Sequence, residues 1–342
     1  MGELRIGTSG WSYPSGRGTW NGVFYPPRKG RASSVPGFDE LTFYAEHFNT
    51  VEINSSFYGT PRPQVSRSWA SRTPNGFEFS LKLYQKFTHP GMYKASRLAD
   101  VPGTSEELDA LATINRADID QFKAGIEPLA SAGKLGALLA QFPPSFKQTP
   151  EALAYLEWLL RAFRDYRVAV ELRHSSWSDR PGDTLAALDA FGAAYTQIDE
   201  PKFRTSIRQN WLPNVESFYY VRLHGRNAKQ WWKHDSTEDR YNYLYAEDEL
   251  KPFAETAVAA RALVKKAYLY MNNHFAAKSV ANAVQVKHLT GDPITGVYPP
   301  EMVEAYPALR ELVTIGEPQP ATSDPAPMAP LLGQTRQRAR RS

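Results

Sequence analysis

An acid, an arginine and a histidine arrive together at the end of Val168-Ala-Val-Glu-Leu-Arg-His-Ser-Ser-Trp177, a stretch that begins as a run of small and β-branched residues. Period-2 alternation puts Val168, Val170, Leu172 and His174 on one face, and Ala169, Glu171 and Arg173 on the other. An acid and a base on one face of a buried strand are costly unless they are paired or put to use. His174 has the opposite parity and sits where the strand ends, so it either turns into a site or caps the next helix through Ser175 and Ser176.

The arrangement recurs along the chain. Opposite the Val/Leu/Ile face of successive strands lie Ser9, Glu52 with Asn54, Ser80 with Lys82, Leu139 with Gln141, and Glu171 with Arg173. They are followed by Tyr195, Gln197 and Asp199, by Tyr220, Arg222 and His224, and by Tyr270, Asn272 and His274. Such a ring suits the handling of an anionic, phosphate-bearing small molecule. Lys82, Arg173, Arg222 and Arg226 would hold the anion, and Glu171 with His224 or His274 would move protons. Glu52 and Asn54 would orient the ligand, and Gln141, His174, Asp199 and Asn272 would line it.

Two other readings compete for the same residues. Glu52, Glu171, Asp199, His224 and His274 are oxygen and nitrogen donors of the kind that hold a divalent metal, although no H-x-x-x-H or D-x-H spacing joins them. Alternatively, Glu52, Glu171 and Asp199 balance Lys82, Arg173 and Arg222 as a closed set of salt bridges. Beyond the ring, Gly225-Arg-Asn-Ala-Lys-Gln-Trp-Trp-Lys-His234 and Arg240-Tyr-Asn-Tyr-Leu-Tyr245 interleave aromatics with cations. Arg226 and Trp231 there could serve nucleic-acid stacking, whereas Trp232 and Tyr243 read as packing on a rim.

These residues need strands that end together. Strands are expected over Leu4–Gly10, Thr50–Tyr58, Phe77–Leu83, Gly136–Phe142, from Val168, and over Ala193–Asp199, Phe218–Gly225 and Ala267–His274. Helices are expected over Phe38–Phe48, Pro63–Arg72, Ile119–Leu135, from Pro150 behind a Thr149 cap, and over Asp183–Phe191, Ala246–Lys266 and Lys278–Leu289. Residues 85 to 117 read as an irregular insertion with some helix. Eight strands alternating with helices predict a single α/β domain, a (β/α)8 TIM-type barrel with long loops, over residues 1–316. The rival is an open doubly wound sheet, but Gly7-Thr-Ser-Gly10 lacks the G-x-G-x-x-G turn of a dinucleotide site. In a barrel, the carboxyl ends of the strands carry the active site.

Residues 317–342, rich in Pro, Ala and Arg, read as a disordered tail. The chain of 342 residues carries a net charge of +4, yet over residues 318–342 Arg336, Arg338, Arg340 and Arg341 against Asp324 account for three of those charges. A nucleic-acid role must therefore rest on local features. There are no cysteines, no signal-type apolar segment and no run of about 18 apolar residues, so a cytoplasmic protein without membrane contact is expected.

Gly7-Thr-Ser-Gly-Trp-Ser-Tyr13, Phe24-Tyr-Pro26, Phe48-Asn-Thr-Val-Glu-Ile-Asn-Ser-Ser-Phe-Tyr58 and Phe79-Ser-Leu-Lys82 resemble the YecE-like family, domain of unknown function 72. So do Gln141-Phe-Pro-Pro-Ser-Phe146, Val170-Glu-Leu-Arg-His174 with Trp177, Tyr220-Val-Arg-Leu-His-Gly-Arg226, and Asn272-Asn-His274. The motifs run in family order and stop short of the tail. The resemblance implies a TIM-type barrel, similar to those of metal-dependent sugar isomerases and apurinic-site endonucleases. It implies no reaction, and a fold likeness carries no chemistry by itself. The dense His/Asp/Glu set of a trinuclear endonuclease site is missing from this chain. The expectation is an enzyme, of hydrolase or isomerase type, acting on a small anion. A metal-dependent hydrolase or isomerase and a non-catalytic nucleic-acid-binding barrel are the alternatives.

Overall fold

The computed structural model describes residues 1–318 apart from 31, 209–211 and 232–235. Trp232 and the arginines of the tail lie outside the described residues.

Nine parallel strands form one sheet: β1 (Glu3–Ser9), β2 (Thr50–Ile53), β3 (Glu78–Lys82), β4 (Leu135–Gln141), β5 (Val168–Glu171), β6 (Ala194–Tyr195), β7 (Gln197–Asp199), β8 (Phe218–Leu223) and β9 (Lys266–Met271). Their order is β6-β5-β4-β3-β2-β1-β9-β8-β7. The two outermost members, β6 and β7, are consecutive pieces of one stretch of chain interrupted at Thr196. β6 pairs with β5 and β7 pairs with β8, so the sheet comes round on itself and the eight-strand barrel closes. The single strand expected over Ala193–Asp199 is thus two short ones.

Helices fill the connections because their apolar sides face the outward Val, Ile and Leu of the strands. Thr149 accepts from the Ala152 N–H with Pro150 in the first turn, as expected. Asn115 and Asp118 form a capping box that starts Arg116–Ser131 before the expected Ile119. The helix expected over Ala246–Lys266 covers Glu247–Ala260, since β9 takes the chain from Lys266. Residues 85–117 are more regular than expected, with helices at Gln85–Thr88, Pro90–Arg97 and Ser105–Ala112. Among the described residues, no helix is long and apolar enough to cross a membrane.

The barrel interior is layered. At its base Arg5 donates to the Gly76 and Asn49 carbonyls, while Glu78 meets Lys266 and accepts from the Tyr268 hydroxyl at 2.7 Å. Ala137, Leu139, Ala169, Ala194, Phe218, Tyr220, Tyr268 and Tyr270 fill the middle. Small residues on one side of the barrel make room for aromatic rings from the other. Gly7 on β1 is required by close approach, since a Cβ there would lie 2.2 Å from the Thr50 carbonyl oxygen. Above this plug the strand ends carry the polar ring.

Candidate functional site

Arg222 is the centre of the ring. It projects from β8, is 1% exposed, and spans two carboxylates from opposite sides of the barrel. One terminal nitrogen donates to Glu52 Oε1 at 2.7 Å; the other donates to Glu171 Oε2 at 2.6 Å and to Gln141 Oε1 at 3.1 Å. Glu52 also accepts from Ser9 Oγ and the Tyr220 hydroxyl, each at 2.8 Å. Arg173, two residues beyond Glu171, turns back and donates to Glu171 Oε1 through Nε at 2.8 Å and a terminal nitrogen at 2.6 Å. The other terminal nitrogen of Arg173 lies 3.1 Å from Glu200 Oε2. The order Glu52–Arg222–Glu171–Arg173–Glu200 therefore forms a continuous chain of alternating charge.

This pairing sets the charge states. Burial alone would raise the Glu171 carboxyl, but Arg222 and then Arg173 outweigh it and hold the group well below the ordinary carboxylate range. Glu200 goes the other way: burial raises it, and Arg173 offsets only part of that. His224 is fully buried, and burial brings its imidazole down to about 3 despite the nearby Glu171. Its Nδ1 lies 2.8 Å from Asn272 Nδ2, and its Nε2 lies 3.3 Å from a terminal nitrogen of Arg173 and 3.4 Å from Glu171 Oε1. His224 is thus a neutral prop for Glu171.

Lys82 is different. Its backbone pairs with Leu139 of the interior face, so the side chain enters the ring, and Nζ rests 3.9 Å above the centre of the Phe57 ring. Among the described residues its ammonium has neither a hydrogen-bond nor a carboxylate partner. Burial and then Arg222 bring it down to about 7; Glu171 pulls the other way, Arg173 adds to the lowering and Glu52 opposes it least.

Other expected site residues sit elsewhere. Register places Asp199 beside Leu223 and so on the face opposite Arg222. There it binds Arg226 Nε at 2.8 Å and the Tyr245 hydroxyl at 2.7 Å. Arg226 is committed to Asp199 and Glu249 on the rim. His174 caps the turn after β5, with its Nδ1 accepting from the Ser176 N–H at 3.1 Å; the capping alternative is the one adopted. Asn54 follows β2, and its carbonyl starts the helical turn Ser55–Tyr58. His274 is sandwiched between Tyr13 and Tyr241 at 4.2 and 4.8 Å, and its Nδ1 is buried without a partner among the described residues. Trp231 is 3% exposed, packed between His224 and Arg240, and so does not offer a face for base stacking.

The expected metal ligands do not converge: among the described residues, no three His, Asp or Glu side chains form a group that could hold an ion. Glu52 and Glu171 instead point their oxygens at Arg222. Glu200 is the ring acid that the sequence reading missed; only its place beside Asp199 at the end of a strand could have suggested it.

A model of the family described as "Protein of unknown function DUF72" matches residues 5–305. The UPF0759 protein YunF of Bacillus subtilis is 29% identical over 310 residues, which is 87% of this chain and 99% of that protein. The UPF0759 protein YecE of Escherichia coli is 28% identical over 140 residues, covering 40% of this chain and 43% of its own. A solved DUF72 family protein from Thermotoga maritima is 31% identical, with a TM-score of 0.69 over 85% of this chain and all of that one. Another, from Enterococcus faecalis, shares the fold at a TM-score of 0.66 and 22% identity, covering 86% of this chain and 99% of its own. With the family match running from the first barrel strand to beyond the last, this chain belongs to the DUF72 family.

Proposed function

We propose that the protein is an enzyme acting on a small phosphate-bearing anion at the carboxyl-terminal mouth of the barrel, with Lys82 as the group that meets the anion. The observation that carries this reading is the pairing of the ring. Arg222 is paired with Glu52 and Glu171, Arg173 with Glu171 and Glu200, and Lys82 alone among these cations lacks a counter-charge among the described residues. A desolvated ammonium without a partner is unfavourable, and an incoming anion supplies the partner. Because Lys82 is brought down to about 7, it also has the proton affinity of a general acid or base near neutral pH. Glu171, held ionised, and His224, held neutral, then serve as a rigid frame, and proton transfer passes to Lys82.

Calorimetric titration of inorganic phosphate and sugar phosphates at pH 8, in buffers of different ionisation enthalpy, tests the reading. Binding should be accompanied by proton uptake, because the anion restores the amine's affinity for its proton, and Lys82→Met should abolish both. The absence of binding and turnover across such a panel, with and without added divalent metals, would refute it. The described part of the 226–245 loop gives the nucleic-acid alternative no comparable support, since Trp231 is buried and Arg226 is paired.

A further inference from the structure

We infer that the ligand of this mouth is a phosphate monoester with an apolar body of one or two rings, and that the body occupies a groove between the loops that follow β3 and β4. The inference rests on the anion reading above and extends it from the charged group to the rest of the molecule.

The groove holds about 390 Å³ and is lined by Thr88, His89, Pro90, Met92, Pro143 and Phe146. That volume lies within the range of small-molecule sites. Its position follows from the chain: β3 ends at Lys82 and β4 ends at Gln141, both ring residues, and the segments that follow form the two walls. The route from the ammonium to the groove is short. Lys82 Nζ stands 3.9 Å over the Phe57 ring, and Phe57 meets the His89 ring edge-on at 5.0 Å between centroids.

The walls are uncharged. His89 is brought down to about 3 by burial and by the cationic Lys82 and Arg173, so it is neutral at ordinary pH, and Thr88 Oγ1 meets its Nδ1 at 2.8 Å. Met92 is half exposed and can fold over an occupant, the use to which flexible thioether side chains are suited. An anionic group at Lys82 and an apolar body against Pro90, Met92, Pro143 and Phe146 would then lie on either side of the Phe57–His89 ring pair.

The test compares inorganic phosphate with phenyl phosphate by calorimetry at pH 6, where Lys82 is charged. Wild-type protein should bind phenyl phosphate about tenfold or more tightly than inorganic phosphate, the gain expected from burying part of one ring. Gly91→Trp fills the groove from its wall without strain, since a Cβ at Gly91 meets nothing within 4 Å. It should remove the phenyl advantage and leave inorganic phosphate binding intact. The exposed Ser145→Trp does the same from the other wall and serves if the first variant fails to fold. Lys82→Met should lose both ligands. Equal affinities in the wild type, or a phenyl advantage that survives both tryptophans, overturns the groove inference alone. Failure of the wild type to bind either anion overturns the anion reading and this inference with it.

Discussion

Replacing Lys82 by methionine should stabilise the protein while removing its proposed contact with ligand. The length of the side chain is kept, the Phe57 ring keeps an apolar neighbour, and the unpartnered ammonium is gone. The folded amine sits at about 7 and the unfolded one at 10.5, so between those values the unfolded chain binds more protons and wild-type stability rises with pH. Below pH 7 the full penalty applies. Linkage over that interval puts the penalty at about 4–5 kcal/mol at pH 6 and about 1.5 kcal/mol at pH 9.5. Lys82 retains some solvent access, so these are upper figures. Urea unfolding of both proteins at pH 6 and pH 9.5 should therefore show Lys82→Met as the more stable, with an advantage that shrinks by up to about 3 kcal/mol at the higher pH. Titrating groups common to both proteins cancel in this difference. A variant less stable at both pH values, or an advantage that does not change with pH, would refute the picture of an unpaired, desolvated ammonium.

Glu171→Gln replaces the buried carboxylate that Arg173 and Arg222 share by an uncharged amide, leaving Arg222 with Glu52 and Arg173 with Glu200, and should cost about 3–5 kcal/mol in chemical denaturation. For His224, held near 3 against 6.5 in the unfolded chain, acid favours the unfolded state. Wild type should therefore lose about 2 kcal/mol relative to His224→Gln between pH 7 and pH 5, read from paired denaturation curves. Gly7→Ala drives a methyl group into the Thr50 carbonyl and should cost more than about 2 kcal/mol, with a matching fall in Tm.

The legible part of the site is the part carried by uninterrupted strands. Glu52, Lys82, Gln141, Glu171, Arg222 and the residues just beyond β5, β8 and β9, namely Arg173, His224 and Asn272, follow from alternation alone, because strongly aliphatic neighbours fix the phase of each strand. The stretch 193–200 lacks that anchor. Ile198 is its lone aliphatic residue, alanine suits either face, and the interruption at Thr196 divides the ladder between two neighbours. Asp199 and Glu200 were exchanged for this reason, and Arg226 followed Asp199 to the outer face. His174 and His274 lie past the strand ends, where alternation no longer governs direction and capping or ring stacking decides. The isolation of Lys82 was hidden by arithmetic: three acids and three bases suggest complete pairing, but Glu171 is shared by two arginines, and that sharing depends on distances no sequence displays.

A closed ring is weakest where its strands are shortest. In this barrel those are β6 and β7, of two and three residues, joined through Thr196, whose amide donates to the Val170 carbonyl. Hydrogen exchange should find the amides of Thr196 and His224, which close the two sides of this seam, less protected than those of β1 and β9 across the barrel, whose ladder runs six residues. Glu200 hangs from the end of that seam, so each local opening withdraws one acid from Arg173 and leaves one of its terminal nitrogens without that partner at the mouth, while Glu171 keeps the others. An anion that binds only the open form would shift the barrel toward it and so speed exchange at the seam as its concentration rises.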